Sequence, residues 1–250
     1  MMRWSAPLFA LVLVSCATAA PAASTTGPLR TPTPTLFITT TAPTASPTPG
    51  PAAFRYVAIG ASDTVGVGAS DPGSGSWPAR VAARLPAGSS YANLGVSGSV
   101  ASQASREQAL TAVSLRPQLV TIWLAVNDMN ANVSPADYLT ALRSVVEPLV
   151  QRTAARIFVG TVPDLRSVPA YAGQDQAALL AKINAYNAVI TAIAAAFNDR
   201  VLTVDLFTGS AALTSTITVS ADGFHPSDEG YGLIADRFIA AIAKAGVALR

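Results

Sequence analysis

Residues 119–125 read LVTIWLA, an apolar run interrupted only by the hydroxyl of Thr121. It is far too short for a bilayer span, which needs roughly 20 apolar residues. A continuous apolar run of this length is the signature of a strand buried on both faces, the central position of a parallel sheet covered by helices. Working outward, residues 55–60 (RYVAIG), 90–94, 156–161 (RIFVGT) and 201–207 read as further strands. Helical patterns fill the intervals at 76–85, 101–113, 134–154, 175–198 and 226–245. Pro78, and Ser134 followed by Pro135, suit helix starts, and 175–198 reads as a long amphipathic helix. This alternation predicts an α/β fold, a three-layer α/β/α sandwich with a five-stranded parallel sheet of flavodoxin-like type. Ligands in such sheets sit outside the carboxyl ends of the strands, so the loops there are where chemistry is sought.

Composition narrows the function. Half of the 250 residues are apolar and 12% are charged, against roughly a quarter charged in ordinary soluble domains. The mean hydropathy of +0.40 comes largely from scattered alanine and valine, and the sustained apolar run near an end, residues 6–14, is too short to span, which excludes a polytopic membrane protein. Two of the 16 basic residues, Arg3 and Arg30, precede Phe54, leaving 14 basic against 14 acidic side chains from 54 onward. Without a basic cluster there is nothing to neutralise phosphates, which argues against a nucleic-acid partner. One cysteine, Cys16, and one histidine, His225, exclude disulfide frameworks and Cys/His metal sites, and no cofactor is implied.

Residues 1–15 read as an export signal: Arg3, an apolar stretch, then small residues. The order Leu13, Val14, Ser15, Cys16 resembles the lipobox of bacterial lipoproteins, which implies lipidation of Cys16 and anchoring at the cell surface or membrane. Cleavage after Ala19 and full secretion is the alternative. Residues 16–53 are rich in threonine, proline and alanine and cannot bury a core. They read as a disordered tether reaching roughly 30 Å as a coil and roughly 110 Å as polyproline II. Its threonines offer glycan acceptor sites; an unmodified linker fits the composition equally. The folded domain is then 54–250.

Four segments at strand ends carry polar groups. After the first strand come Gly60, Ala61, Ser62 and Asp63; after the second, Asn93, Leu94, Gly95, Val96, Ser97 and Gly98; after the third, Asn127 and Asp128; near the end, Asp222, Gly223, Phe224, His225 and Pro226. Taken singly, Ser62 serves equally as a turn former, Asn127 as a loop residue bonding its own backbone, and His225 as a structural imidazole. No phosphate-binding glycine loop follows the first strand.

Together, in this order and spacing, the segments resemble the SGNH hydrolases, also called the GDSL esterase/lipase family, over about the whole of 54–250. Asp-x-x-His-Pro and Asn-Leu-Gly-x-Ser-Gly are the most specific matches. The resemblance implies that Ser62 is the nucleophile, His225 the general base and Asp222 the group that orients the imidazole. It implies an oxyanion hole formed by the backbone N–H groups of Ser62 and Gly95 and the side-chain amide of Asn127. Two positions depart from the pattern: Ala61 stands where an aspartate usually fixes the turn, and Ala125 stands where glycine usually precedes the asparagine by two. A methyl at 125 is expected to crowd the oxyanion hole or redirect a substrate.

The chemistry needs these groups. A serine hydroxyl becomes nucleophilic when a base takes its proton, imidazole then protonates the leaving group, and a carboxylate fixes the tautomer. The expected function is hydrolysis of carboxylic, short-acyl esters through an acyl-enzyme, because no long apolar insertion supplies a lid. The substrate partner is then a small-molecule or carbohydrate ester. The loops 67–77 and 162–174 are expected to border the site, with Trp77, Tyr171 and Phe224 as wall or core. A tethered binding module for acylated glycans or cell-wall polymers is the alternative.

Overall fold

The run at 119–125 does build the central strand, but only its first five residues stay in the sheet. In the computed structural model, residues 54–214 and 217–250 are described; the leader, Cys16 and the tether lie outside the described residues. In chain order the elements are β1 (Arg55–Gly60), α1 (Ser62–Val65), α2 (Pro72–Gly75), α3 (Trp77–Ala82), β2 (Ser90–Asn93), α4 (Ala101–Arg106), α5 (Gln108–Ser114), β3 (Leu119–Trp123), α6 (Val126–Asn130), α7 (Pro135–Arg152), β4 (Arg156–Gly160), α8 (Gln176–Ala196), β5 (Val201–Val204), α9 (Ser210–Leu213) and α10 (Asp228–Lys244). The five strands form one sheet in the order β2-β1-β3-β4-β5, and every pairing is parallel. This is the expected α/β fold.

Strand periodicity sorts the core onto two faces. On one side Val57, Ile59, Val120, Ile122, Ile157 and Val159 pack under α4, α5, α7 and α8. On the other, Tyr56, Ala58, Leu119, Trp123 and Phe158 pack under α3 and α10. Trp77 belongs to this second core, stacked on Phe238 at 4.2 Å and edge-on to Trp123 at 6.3 Å, so it is a core residue and not a wall of the site.

Local chemistry sets the helix boundaries. Ser134 accepts from the N–H of Asp137 at 3.1 Å with Pro135 behind it, and Asp175 caps α8 through Ala177 and Ala178. α8 is long and apolar enough to cross a membrane by length and composition. Its Leu179, Ile183, Tyr186, Ile190 and Ile193 are buried, and its exposed positions are largely alanine, so it is less amphipathic than its pattern suggests. The final helix starts at Asp228 because Ser227, not the residue before Pro226, is the N-cap.

Two elements differ from the sequence reading for a physical reason. The helix expected over 101–113 breaks at Glu107, next to Gln108, whose side-chain amide turns inward to bond the end of β1. The strand expected over 119–125 ends at Trp123 because Ala125 adopts φ +78°, ψ −47°. That residue centres a tight turn in which the N–H of Val126 donates to the carbonyl of Leu124 at 3.0 Å, a three-residue turn that is strained for any residue with a Cβ.

The order 2-1-3-4-5 reverses direction at β1, since β2 lies on one side of it and β3 on the other. The crevice between the carboxyl ends of β1 and β3 is the topological switch point, where such sheets bind ligands.

Candidate active site

Ser62 stands at the first position of α1, two residues beyond the end of β1. The turn that presents it is crowded. A Cβ on Gly60 would lie 2.0 Å from Thr64 Oγ1 and 2.6 Å from the carbonyl oxygen of Trp123, so glycine is required there for close approach. With alanine at 61 no side chain caps α1; instead the Ala61 carbonyl accepts from the N–H groups of Thr64 and Val65, both at 3.0 Å. Asn93 braces the turn from β2, its amide donating to the Thr64 carbonyl at 2.6 Å.

The second half of the site is a hairpin-like loop before α10. The N–H of Ser220 donates to the carbonyl of His225 at 2.8 Å, Val219 bridges Pro226, and Gly223 takes φ +72° at the tip. Asp222 is wrapped by donors. Its Oδ1 accepts from Ser220 Oγ at 2.7 Å and from the N–H groups of Phe224 and His225 at 2.8 and 2.9 Å. Its Oδ2 lies 2.6 Å from His225 Nδ1. Burial acts to raise the Asp222 carboxyl, but these hydrogen bonds, that of His225 foremost, outweigh it and hold the group well below the usual carboxylate range. An ionised Asp222 accepts only, so His225 donates from Nδ1 and leaves Nε2 as the acceptor. That Nε2 lies 2.9 Å from Ser62 Oγ. Residues 163 positions apart in the chain thus form one continuous line from hydroxyl to imidazole to carboxylate. The imidazole is mostly shielded, with 17% of its side chain exposed, and Phe224 packs edge-on against it at 4.7 Å.

Of the three expected oxyanion donors, Ser62 sits where a helix N–H has no intrahelical acceptor. The Asn127 amide donates to the Ser99 carbonyl at 3.1 Å, and a primary amide carries a second N–H. The N–H of Gly95 is engaged, donating to Asn93 Oδ1 at 2.9 Å.

Beneath these groups lies a polar brace that the sequence did not announce. Gln108 is 3% exposed. Its Oε1 accepts from the N–H of Gly60 at 2.9 Å, and its Nε2 donates to the Gly60 carbonyl at 3.0 Å and to Ser99 Oγ at 3.1 Å. Asp128, fully buried, takes the N–H of Ala101 with both oxygens, at 3.1 and 3.0 Å. Burial pushes the Asp128 carboxyl up to about 6. Gln108 therefore ties the strand end that carries Ser62 to Ser99, whose carbonyl holds Asn127.

Residues 58–233 match the profile of the GDSL-like Lipase/Acylhydrolase family. The chain belongs to that family. It is accordingly a serine hydrolase acting on ester bonds. No curated protein matches it in sequence. Solved structures of the same fold include a lipase/acylhydrolase from Enterococcus faecalis, 21% identical over 79% of this chain and 97% of that one, with a TM-score of 0.61. A member of the lipolytic G-D-S-L family from Veillonella parvula is 17% identical over 76% and 99%, with a TM-score of 0.61. A catalytic mutant of an acetylxylan esterase from Geobacillus stearothermophilus is 21% identical over 76% and 94%, with a TM-score of 0.62. At these identities the likeness concerns the fold.

The two departures from the GDSL pattern have structural answers. Ala125 is wholly buried and belongs to the core cluster on the α4, α5, α7 and α8 side of the sheet. Asp63 does not take over from the missing aspartate at 61, because among the described residues its carboxylate takes no hydrogen bond from another residue and it lines a cavity.

That cavity, about 120 Å³, is lined by Asp63, next to Ser62 in the chain, and by Phe224 and Pro226, on either side of His225. Its apolar lining includes Trp123, Val126, Leu165, Val168, Leu206 and Ile234. The loop 162–174 contributes as expected, whereas no residue of 67–77 reaches it. Tyr171 lies behind the lining, buried, with its hydroxyl donating to Asn130 Oδ1 at 3.0 Å. The contributions of Trp123, Leu206 and α10 were not foreseen.

Proposed function

We propose that this GDSL-family hydrolase cleaves short-acyl carboxylic esters through an acyl-enzyme, with Ser62 as nucleophile, His225 as general base and then acid, and Asp222 as orienting carboxylate. The observation that carries this is the unbroken line Ser62 Oγ, His225 Nε2, His225 Nδ1, Asp222 Oδ2, at 2.9 and 2.6 Å. In it, Ser62 gives its proton to Nε2 as it attacks the carbonyl, and Asp222 stabilises the imidazolium that forms. The oxyanion is met by the Ser62 N–H and the Asn127 amide. The Gly95 N–H joins them when the developing charge outcompetes Asn93 Oδ1 for it.

The short-acyl preference rests on the size of the cavity, below the ~300 Å³ at which pockets take drug-sized ligands. Carbohydrate esters are supported by neighbours of the same fold: acetylxylan esterases and an esterase active on acetylated mannans. With the lipobox-like Cys16 and the extended tether, the reading is of an exported hydrolase held at the bacterial surface. The test is turnover of a p-nitrophenyl ester series from acetyl to palmitoyl beside Ser62→Ala, with fluorophosphonate labelling. Serine-dependent turnover with an optimum at short chains is expected. Wild-type rates in Ser62→Ala would show that the nucleophile is misassigned.

A further inference from the structure

Asp63 is the acidic group that the reaction above leaves unused. It follows the nucleophile directly and is half-buried, and no hydrogen bond reaches its carboxylate from another residue among the described residues. It lines the cavity together with mostly apolar side chains, among them the aromatic residues Trp123 and Phe224, and with the polar Ser210, Thr214, Thr218 and Arg237. A carboxylate in apolar surroundings is costly unless something compensates it. Burial accordingly pushes the Asp63 carboxyl up to about 6, even though His225 nearby draws it down. The groups coupled to it electrostatically are His225, Asp222, Tyr171 and Tyr231. The other charged residue lining the cavity, Arg237, is drawn to the carbonyls of Asp205 and Thr208 at 3.0 and 2.8 Å. Among the described residues no lysine or arginine forms an ion pair with the Asp63 carboxylate.

We propose that this cavity is a subsite for an alkylammonium group carried by the ester substrate, with Asp63 as the counter-charge and Trp123 and Phe224 as aromatic walls. The inference rests on the esterase reading and names a substrate class for it. The chemistry matches part by part. Apolar walls accept the methyl or methylene groups, ring faces attract a cation, and the carboxylate supplies the charge. The position beside Ser62 places the cation a few bonds from the reacting carbonyl, on either the acyl or the alcohol side.

Two isosteric pairs test this. The acetate of trimethylammonio-ethanol and its neutral tert-butyl isostere put the group on the alcohol side. The ethyl ester of a trimethylammonio-butanoic acid and its tert-butyl isostere put it on the acyl side. In the wild-type protein, kcat/KM is expected to favour the cation by about tenfold or more in one pair, and that pair identifies the side. The ratio falls to about one in Asp63→Asn and below one in Asp63→Leu; being taken within each variant, it cancels any loss of folded protein. A ratio near one in both wild-type pairs, or a preference that survives in Asp63→Leu, overturns the proposal. Should the variants fail to fold, tetramethylammonium on the wild-type protein replaces them. Competitive inhibition of neutral acetate hydrolysis, with none by tert-butanol, supports the subsite, and no inhibition overturns it. Should no ester be turned over, the esterase reading fails by itself, and calorimetric titration with tetramethylammonium still decides the subsite by binding or its absence.

Discussion

Replacing Gln108 by methionine keeps the shape of the side chain and removes its hydrogen bonds, which isolates what the brace contributes. Three buried bonds are lost, at 2.9, 3.0 and 3.1 Å. The Gly60 carbonyl keeps a partner in the N–H of Val96 at 3.1 Å, but the Gly60 N–H loses the side-chain acceptor it has. A buried unsatisfied donor costs about 1–3 kcal/mol, and each further net hydrogen bond about 1 kcal/mol. The expected destabilisation is therefore about 3–5 kcal/mol, read as a lower urea midpoint with an unchanged slope. Because Gly60 leads into Ser62 and Ser99 holds Asn127, the surviving folded enzyme should lose kcat more than KM on p-nitrophenyl acetate. Gln108→Glu sharpens the test: it keeps an acceptor for Gly60 N–H but opposes a carboxylate to the Gly60 carbonyl. It should be the less stable of the two at pH 8 and recover towards pH 5, as the acid protonates. An unfolding free energy for Gln108→Met within 0.5 kcal/mol of wild type, or kinetic loss confined to KM, would refute the reasoning, the threshold being half of one net hydrogen bond at about 1 kcal/mol.

Three other outcomes follow from the same geometry. Asn127→Ala, which removes the proposed oxyanion donor, a group worth about 2.7–4 kcal/mol, should lower kcat on the order of a hundredfold or more with little change in KM; steady-state kinetics decide it. Gly60→Ala drives a methyl into Thr64 Oγ1 and the Trp123 carbonyl, so thermal melting should show a loss of about 1–3 kcal/mol or more, with activity falling as the Ser62 turn is displaced. Asp128 and Asp63 both have folded pKa values raised by burial to about 6 from 3.8, so the folded state binds more protons between these values. Stability should then fall as pH rises from about 4 through about 6 and level off above, by on the order of 1–2 kcal/mol per group after solvent screening. Urea titrations across this window should show that Asp128→Asn removes about half of the slope.

The sheet was legible because its signal is local. Each strand is a short apolar run, and LVTIWLA is apolar on both faces because helices cover both. The hydrogen-bonded line of Ser62, His225 and Asp222 was legible for a different reason: a single histidine, preceded by Asp222 and followed by Pro226, leaves little choice of imidazole, and the family pattern supplies the serine. What failed locally was the end of β3 and the break between α4 and α5. Both are set by contacts with distant residues, the turn at Ala125 against the core and the reach of Gln108 across to Gly60. A glutamine in an alanine-rich helix reads as a surface residue; nothing in its neighbours announces that a strand end 48 residues earlier needs both a donor and an acceptor.

The cavity is the extreme case of this non-locality. Its walls come from the first turn after β1, the end of β3, the loops after β4 and β5, the residues beside His225 and the face of α10, so no window of sequence contains it. In the sequence Asp63 stands out only as the residue that follows Ser62. The fold gives the turn to the Ala61 carbonyl and the Asn93 amide instead, which releases Asp63 from the turn. A carboxylate freed from structural duty and set beside Ser62 among mostly apolar walls disfavours anionic substrate groups, adds a desolvation cost for neutral ones and favours cationic ones. Selectivity in this enzyme is therefore expected to be governed by charge before chain length, and Asp63→Leu should raise kcat/KM for the neutral tert-butyl isosteres while lowering it for the cationic esters.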